Sequence, residues 1–220
     1  MPWGPREVAV GIAVVAAVTV ATVGLLTLAY RDDSAPSAAV LAGTLALEAA
    51  MLAVALAVVL GPAGRAPTRL LFGPRRLGTP AQFFWGAVAF TGSIVAGAIY
   101  VAVATRISED LTPSALPIDI PGGGLRLVAF AVIVLIGPFA EEVFFRGFVL
   151  AGLLRRLGTT RAIIVSSALF AAAHLDLTVA GPAFLAGVVY ALVYRRTGSL
   201  WPLVLAHTAQ NAIAFALTAA

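Results

Sequence analysis

Seven long apolar stretches are the feature that most constrains what this chain can fold into. A membrane-spanning α-helix needs about 20 mostly apolar residues, and three stretches before residue 106 reach that length. The other four lie in the second half and contain polar side chains. The predicted segments are residues 8–30, 38–60, 81–105, 127–154, 162–175, 177–194 and 200–220. We therefore expect an all-α, polytopic transmembrane helix bundle of about seven membrane segments.

The composition supports a membrane protein and excludes several functions. Hydrophobic residues make up 61% of the 220 residues and charged residues 11%, whereas soluble domains have about 45–50% and about 25%. The net charge is only +4, so a nucleic-acid partner is not expected. The chain has no cysteine, which excludes disulfides, thiolate nucleophiles and cysteine metal sites. Abundant alanine, valine, glycine and arginine without lysine indicate a GC-rich bacterial genome, and hence a bacterial cytoplasmic membrane.

Arginine collects in alternate connections between the predicted segments. Because Lys and Arg are enriched in short cytoplasmic loops, these connections and the N-terminus are predicted to be cytoplasmic. The arginines are Arg6, Arg65, Arg69, Arg75, Arg76, Arg155, Arg156, Arg161, Arg195 and Arg196, and the acids of the opposite connections are Asp32, Asp33, Glu109, Asp110, Asp119 and Asp176. A proline- and glycine-rich stretch, residues 111–124, separates N-terminal membrane helices (residues 1–110) from a core (residues 125–215).

The fourth segment contains the charged pattern EEVFFR, preceded by Pro138, which is expected to kink or break the helix. A charged side chain at the centre of a membrane helix costs about 2.5–3.5 kcal/mol on insertion scales, so such residues are candidates for function. Glu142 and Arg146 are four residues apart and can pair on one helix face, which favours a supporting role. Glu141 is rotated by about 100° from that face. It is either an interfacial residue or a free carboxylate suited to proton transfer.

The two histidines of the chain, His174 and His207, both lie in apolar helical segments of the second half. Asn211 follows His207 by one turn, so the two can present hydrogen-bond donors together. A packing role is the alternative for each histidine, but their position in the half that carries the glutamate pair favours function. Phe170 precedes His174 by one turn. Glu48 is a lone acid in the second segment, where a hydrogen bond to a neighbouring helix is expected.

Several intramembrane chemistries do not fit the sequence. The HExxH pattern of zincins is absent, and Ser166 and Ser167 lack the flanking glycines of a rhomboid site. No aspartate lies within a predicted segment, as a presenilin-type site requires. A carboxylate, two histidines and an amide remain. These groups can activate a water molecule and stabilise an oxyanion.

Three motifs in the second half resemble those of the CPBP intramembrane proteases, the CAAX-protease and bacteriocin-processing (Abi) family, which includes type II CAAX prenyl endopeptidases. In chain order they are EExxxR at residues 141–146, FxxxH at 170–174 and HxxxN at 207–211. The segment from Phe184 to the third motif is also similar to the family. The resemblance covers about residues 125–215, and the first three helices carry no signature.

The resemblance implies that Glu141, helped by His174, activates a water molecule, and that His207 and Asn211 hold the oxyanion. Glu142, Arg146 and Phe170 would support them. The family is often labelled metalloprotease, and a zinc or other divalent metal held by Glu141, His174 and His207 matches the usual count of three protein ligands. The sequence leaves both mechanisms open. We favour the metal-free one and predict no cofactor.

We therefore expect an intramembrane endopeptidase whose active site lies within the bundle and whose partners are membrane lipid and a membrane-associated or lipid-anchored peptide or protein. Prenylated CAAX substrates are less favoured for a bacterial chain. One alternative is a catalytically silent membrane scaffold or immunity protein of the same fold. A proton-coupled transporter using Glu48, Glu141 and the histidines is a second alternative, but the sequence has no inverted repeat to support it.

Overall fold

The computed structural model describes residues 3–31, 35–60, 72, 77–108 and 123–218, which form an all-helical bundle. The helices are α1 (Pro5–Ala29), α2 (Ser37–Leu60), α3 (Thr79–Ala104), α4 (Gly124–Phe130), α5 (Gly137–Glu142), α6 (Ala151–Ala172), α7 (Leu177–Thr197) and α8 (Trp201–Thr218). Two π-helical stretches, the first π segment (Ala131–Ile136) and the second π segment (Val143–Leu150), link α4, α5 and α6. The predicted fold class, an α-helical membrane bundle, is confirmed.

Among the described residues, five helical stretches are long and apolar enough to cross a membrane, in keeping with an integral membrane protein. They are α1, α2, α3, the continuous run Gly124–Ala172 and α7. The run has 49 residues and contains the predicted fourth segment and most of the fifth. At Gly158 its backbone leaves the helical region, with φ 72° and ψ 174°, a conformation that glycine adopts without a Cβ clash. The two predicted segments lie on either side of this break.

The centre of the bundle is formed by the second half of the chain. α3 packs against α7 and α8, α6 packs against α7, and α5 contacts both α2 and α8, while α1 packs mainly on α2. All eight residues of the second π segment are buried. Their aromatic rings, including Phe144 and Phe148, belong to the main hydrophobic cluster. Most of the EEVFFR pattern is therefore buried inside the protein.

Pro138 changes the helical register instead of ending the helix. Proline has no N–H to donate and disturbs the preceding turn, and the turn before it is π-helical, with the Gly137 N–H bonded to the Val132 carbonyl. In this i→i+5 register, the carbonyl of Ile133 faces the missing N–H of Pro138. The side chain of Asn211 donates to that carbonyl at 2.9 Å. The expected break is thus replaced by a π segment held by α8.

The connection between α6 and α7 is fixed by an N-terminal cap. Asp176 Oδ1 accepts hydrogen bonds from the Thr178 hydroxyl at 2.7 Å and from its backbone N–H at 2.8 Å. These bonds lower the pKa of Asp176 below its ordinary value. α7 ends at Gly198, which adopts the left-handed conformation with φ 63°. The tight cap keeps His174, just before it, in a fixed position relative to α7.

The orientation of the bundle stays a prediction, because many charged residues that it uses lie outside the described residues. These are Asp32, Asp33, Arg65, Arg69, Arg75, Arg76, Glu109, Asp110 and Asp119.

Candidate active site

A cavity of about 380 Å³ lies between α2, α5, the end of α6 and α8. Glu141, His174, His207 and Asn211 all line it, together with Glu48 from α2. The three motifs are separated by up to 70 residues, and the fold places them around one space. The four residues predicted to be catalytic therefore share one cavity inside an apolar bundle.

Glu142 lies behind the cavity wall and connects two motifs. Its Oε1 atom accepts a hydrogen bond from Arg146 Nη1 at 3.0 Å and another from His207 Nδ1 at 3.0 Å. The side chains of Glu142 and Arg146 are 0% and 1% exposed. The ion pair follows the i, i+4 spacing predicted from sequence, whereas the bond to His207 was not foreseen. Since Nδ1 of His207 is engaged, its Nε2 points toward the cavity.

Glu141 faces the cavity on the neighbouring face of α5, as its one-residue offset from Glu142 predicts. Its Oε2 atom lies 3.8 Å from His207 Nε2, and this oxygen has no hydrogen-bond partner among the described residues. The side chain is 19% exposed. Glu141 thus presents an uncommitted carboxylate oxygen beside an imidazole nitrogen.

The ring of Phe170 contacts three polar residues of the site. The guanidinium of Arg146 lies over the Phe170 ring at 4.3 Å, a cation–π arrangement. The edges of His174 and His207 approach the same ring, with centroid distances of 4.9 and 5.9 Å. Phe170 therefore contacts both histidines and the buried cation.

His174 and Asn211 are both oriented by backbone carbonyls. His174 Nδ1 lies 2.9 Å from the carbonyl oxygen of Phe170. Because a carbonyl only accepts hydrogen bonds, this contact requires the proton on Nδ1 and leaves the Nε2 lone pair for the cavity. Asn211 uses one amide hydrogen on Ile133, and its second hydrogen remains for a bound ligand.

Within residues 3–31, 35–60, 72, 77–108 and 123–218, no group of three or more His, Asp or Glu side chains is placed to hold a metal ion. The expectation that the protein uses no cofactor stays a prediction.

Tyr190 was not singled out from the sequence, whereas Glu48 was singled out but not assigned to the protease site. Tyr190 on α7 is 1% exposed, its ring centroid lies 5.7 Å from that of His207, and its hydroxyl donates to the side-chain oxygen of Gln210. The sequence signal was a tyrosine on an apolar helix, because a buried tyrosine hydroxyl usually needs a hydrogen-bond partner. Glu48 was noted, but it was expected to bond a neighbouring helix, and its Oε2 has no hydrogen-bond partner among the described residues.

A second cavity, of about 460 Å³, reaches the same residues from the opposite side, between α3, α7 and α8. His174, His207 and Asn211 line both cavities, while small and apolar residues of α3 such as Ile94 and Gly97 line only the second. The histidines therefore lie between two spaces inside the bundle.

Together, the fold and the cavity define an integral membrane helix bundle with a carboxylate–histidine site at its centre. Residues 123–213 match the family model described as Rce1-like, the type II CAAX prenyl endopeptidase Rce1-like family. The match contains all three motifs, confirms the resemblance to the CPBP family and relates the chain to proteases of the CAAX type. No curated protein and no solved structure matches the chain.

Proposed function

We propose that this protein is an intramembrane endopeptidase that hydrolyses peptide bonds of membrane-associated or lipid-anchored substrates with a water molecule activated by Glu141 and His174. The observation that carries the proposal is the lining of one cavity by Glu141, His174, His207 and Asn211, all within the segment that matches the CAAX-protease family. Placing four polar side chains in one cavity inside a membrane bundle costs free energy, so these residues are expected to have a function.

Water activation requires a proton acceptor and a second group that orients the water. The free Oε2 of Glu141 is the acceptor, and the Nε2 lone pair of His174 takes the second hydrogen of the water in a hydrogen bond. The water oxygen then forms a bond to the carbonyl carbon of the substrate. Glu141 holds the proton that the water loses and returns it to the amine nitrogen when the C–N bond breaks.

The developing oxyanion needs hydrogen-bond donors that are in place before the reaction. Asn211 offers its second amide hydrogen from a side chain already fixed on Ile133. His207 donates from Nε2 as the imidazolium, because its Nδ1–H is already donated to Glu142, which fixes the ring. The supporting residues do not line the cavity that contains Glu141; they are Glu142, Arg146 and Phe170. Glu142 bonds both His207 and Arg146, and the ring of Phe170 packs against His207.

The substrate class follows from the surroundings of the site. Both cavities are bounded by apolar helices, so the apolar parts of a membrane peptide or of a lipid-anchored chain can pack in them. The family description names prenyl endopeptidases, and membrane peptides or lipid-anchored proteins include but are not limited to prenylated chains. We place the protein in a bacterial cytoplasmic membrane with its N-terminus in the cytoplasm. Reporter fusions after Arg156 and Arg196 would then report cytoplasm.

The proposal is tested with purified protein in liposomes and fluorogenic membrane peptides. Glu141→Gln keeps the shape of the side chain and removes the base, so cleavage should fall by about 100-fold or more while the thermal unfolding profile stays native. Glu7→Gln is the matched control, since Glu7 lies at the start of α1 and outside the cavity lined by Glu141. A Glu141→Gln variant that cleaves at the wild-type rate would refute the proposal.

The same assay separates the two mechanisms. Since the described residues do not form a three-ligand site, we propose metal-free hydrolysis, with cleavage that is unchanged after exhaustive dialysis against a chelator. Stoichiometric zinc in the purified protein, together with loss of cleavage on chelation and recovery on zinc addition, would contradict this.

A further inference from the structure

Glu48 is an acid of the cavity that the proposed mechanism does not use. It lies near the middle of α2, outside the segment that matches the family. Its side chain is only 4% exposed, and it lines the cavity together with Glu141 and His174. Its Oε2 atom has no hydrogen-bond partner among the described residues. Glu48 is therefore a buried, unsatisfied acid on the wall of the site.

The backbone of α5 makes room for this carboxyl group. A Cβ atom added to Gly137 would lie 3.4 Å from Glu48 Oε1 and 3.2 Å from the Val132 carbonyl oxygen. The missing side chain at Gly137 lets α2 place an acid directly against the start of α5. Glu48 therefore points into the protein and away from the lipid.

The charges on the cavity wall do not balance. Two acids, Glu48 and Glu141, line the cavity, and the two histidines are the only basic side chains among the described residues of its lining. The guanidinium of Arg146 is already bonded to Glu142 and stacked on Phe170. A carboxylate removed from water gains most from a nearby cation, because the low dielectric strengthens the attraction. Among the described residues of the wall, no lysine or arginine supplies that cation to Glu48.

We propose that Glu48 binds the cationic group of the substrate, the ammonium or guanidinium of a lysine or arginine next to the scissile bond. This inference rests on the proposed function and narrows its substrate class to membrane peptides with a basic residue at the cleavage site. Leu47, Met51 and Ala214 line the same cavity, so they can contact the methylene stem of such a side chain while its charged end reaches Glu48.

The first test compares two fluorogenic peptides that differ only in lysine or norleucine beside the scissile bond. Wild-type protein should cleave the lysine peptide with a kcat/KM about 10-fold or more above that of the norleucine peptide. In Glu48→Gln this ratio should fall to about one, because the charge is lost and the shape is kept. Thr44→Val is the matched control one turn away, since the Thr44 hydroxyl is already bonded to the Val40 carbonyl, and it should keep the wild-type ratio.

Two results would overturn the inference: equal cleavage of both peptides by the wild type, or an unchanged ratio in Glu48→Gln. If Glu48→Gln does not fold, Glu48→Asp replaces it. That variant keeps the charge but shortens its reach, so it should lower the ratio without abolishing it, and an unchanged ratio again counts against the inference.

A second arm does not depend on catalysis. Dodecylammonium and dodecanol have the same chain and differ in charge at the head group. The ammonium should raise the unfolding temperature of the wild type more than the alcohol does, because it binds only the folded cavity, and Glu48→Gln should remove that difference. This result without any peptide cleavage would support the cation site and reject the protease function. Equal effects of the two amphiphiles on the wild type would reject the cation site.

Discussion

The three N-terminal helices and the run Gly124–Ala172 are equally apolar, yet they are used in opposite ways. In their most apolar windows, 17%, 22% and 17% of the residues of α1, α2 and α3 are buried, against 50% in Gly124–Ala172. Leu25 of α1 is 68% exposed, whereas Phe148 is 0% exposed. An apolar side chain in a membrane can face lipid at no cost, so hydropathy does not identify the core. The buried charged residues identify the core, because a charged side chain in a membrane is stabilised by protein groups around it.

Glu48 and Gly11 are the points at which the N-terminal helices depart from this pattern. Glu48 places a carboxyl group of α2 on the wall of the cavity. Gly11 of α1 is buried, and a Cβ atom there would lie 2.7 Å from the Phe148 ring and 2.8 Å from Val54. α1 and α2 therefore meet the core through a few close contacts, whereas α3 packs extensively on α7 and α8.

The largest effect is expected at Glu142, which bonds both Arg146 and His207. Glu142→Gln leaves a buried cation without its partner, so it should destabilise the protein by about 3–5 kcal/mol. The measurement is reversible unfolding in mild detergent, with Glu7→Gln as the control for the same chemical change. A fully stable Glu142→Gln protein would show that the core tolerates an unpaired guanidinium and would weaken the comparison.

Asn211 tests the part of the core that faces the cavity. Asn211→Ala removes the proposed oxyanion donor, so kcat should fall by about 100-fold or more with little change in KM. Unfolding of the same variant should be only modestly affected, since one hydrogen bond to Ile133 is lost. A rise in KM at constant kcat would instead assign Asn211 to substrate binding.

Two glycines of α1 test whether one end of this helix packs on the core while the other end faces lipid. Gly11→Ala forces Phe148 or Val54 to move and should destabilise the protein by about 1–3 kcal/mol. Gly24 has no atom within 4 Å of an added Cβ, so Gly24→Ala should be neutral or stabilising. Equal behaviour of the two variants in thermal unfolding would mean that α1 does not dock through its N-terminal half.

The smallest effect is expected on the lipid face. Leu25→Ala removes a large side chain that is 68% exposed, and we expect a change within about 0.5 kcal/mol. The unfolding assay used for Glu142 measures this as well. A loss comparable to that of a core leucine would indicate that a further protein surface covers this face.

Local spacing made much of the site predictable. The four-residue interval placed Glu142 and Arg146 together, and the one-residue offset turned Glu141 to another face. The apolar lengths located the helices to within a few residues, as for α2, predicted at 38–60 and observed as Ser37–Leu60.

Contacts between distant segments were beyond the sequence. The bond from His207 to Glu142 joins residues 65 positions apart, and the position of Glu48 depends on how α2 is rotated against α5. A helix that is apolar on all faces gives no periodic signal for that rotation. The π-helical register was not predicted either. Pro138 indicates that the helix is distorted, but it does not indicate which hydrogen-bond register the distorted turn adopts.

The first π segment requires a fixed number of residues before the EEVFFR motif. An i→i+5 turn holds one residue more than an i→i+4 turn, and the Ile133 carbonyl that receives Asn211 depends on that extra residue. Deleting one residue from Ala131–Ile136 would restore the α-helical register and rotate α4 by about 100° relative to Glu141. A different carbonyl would then face Asn211. In this π segment the protein should tolerate many substitutions of one apolar residue by another, but no insertion or deletion.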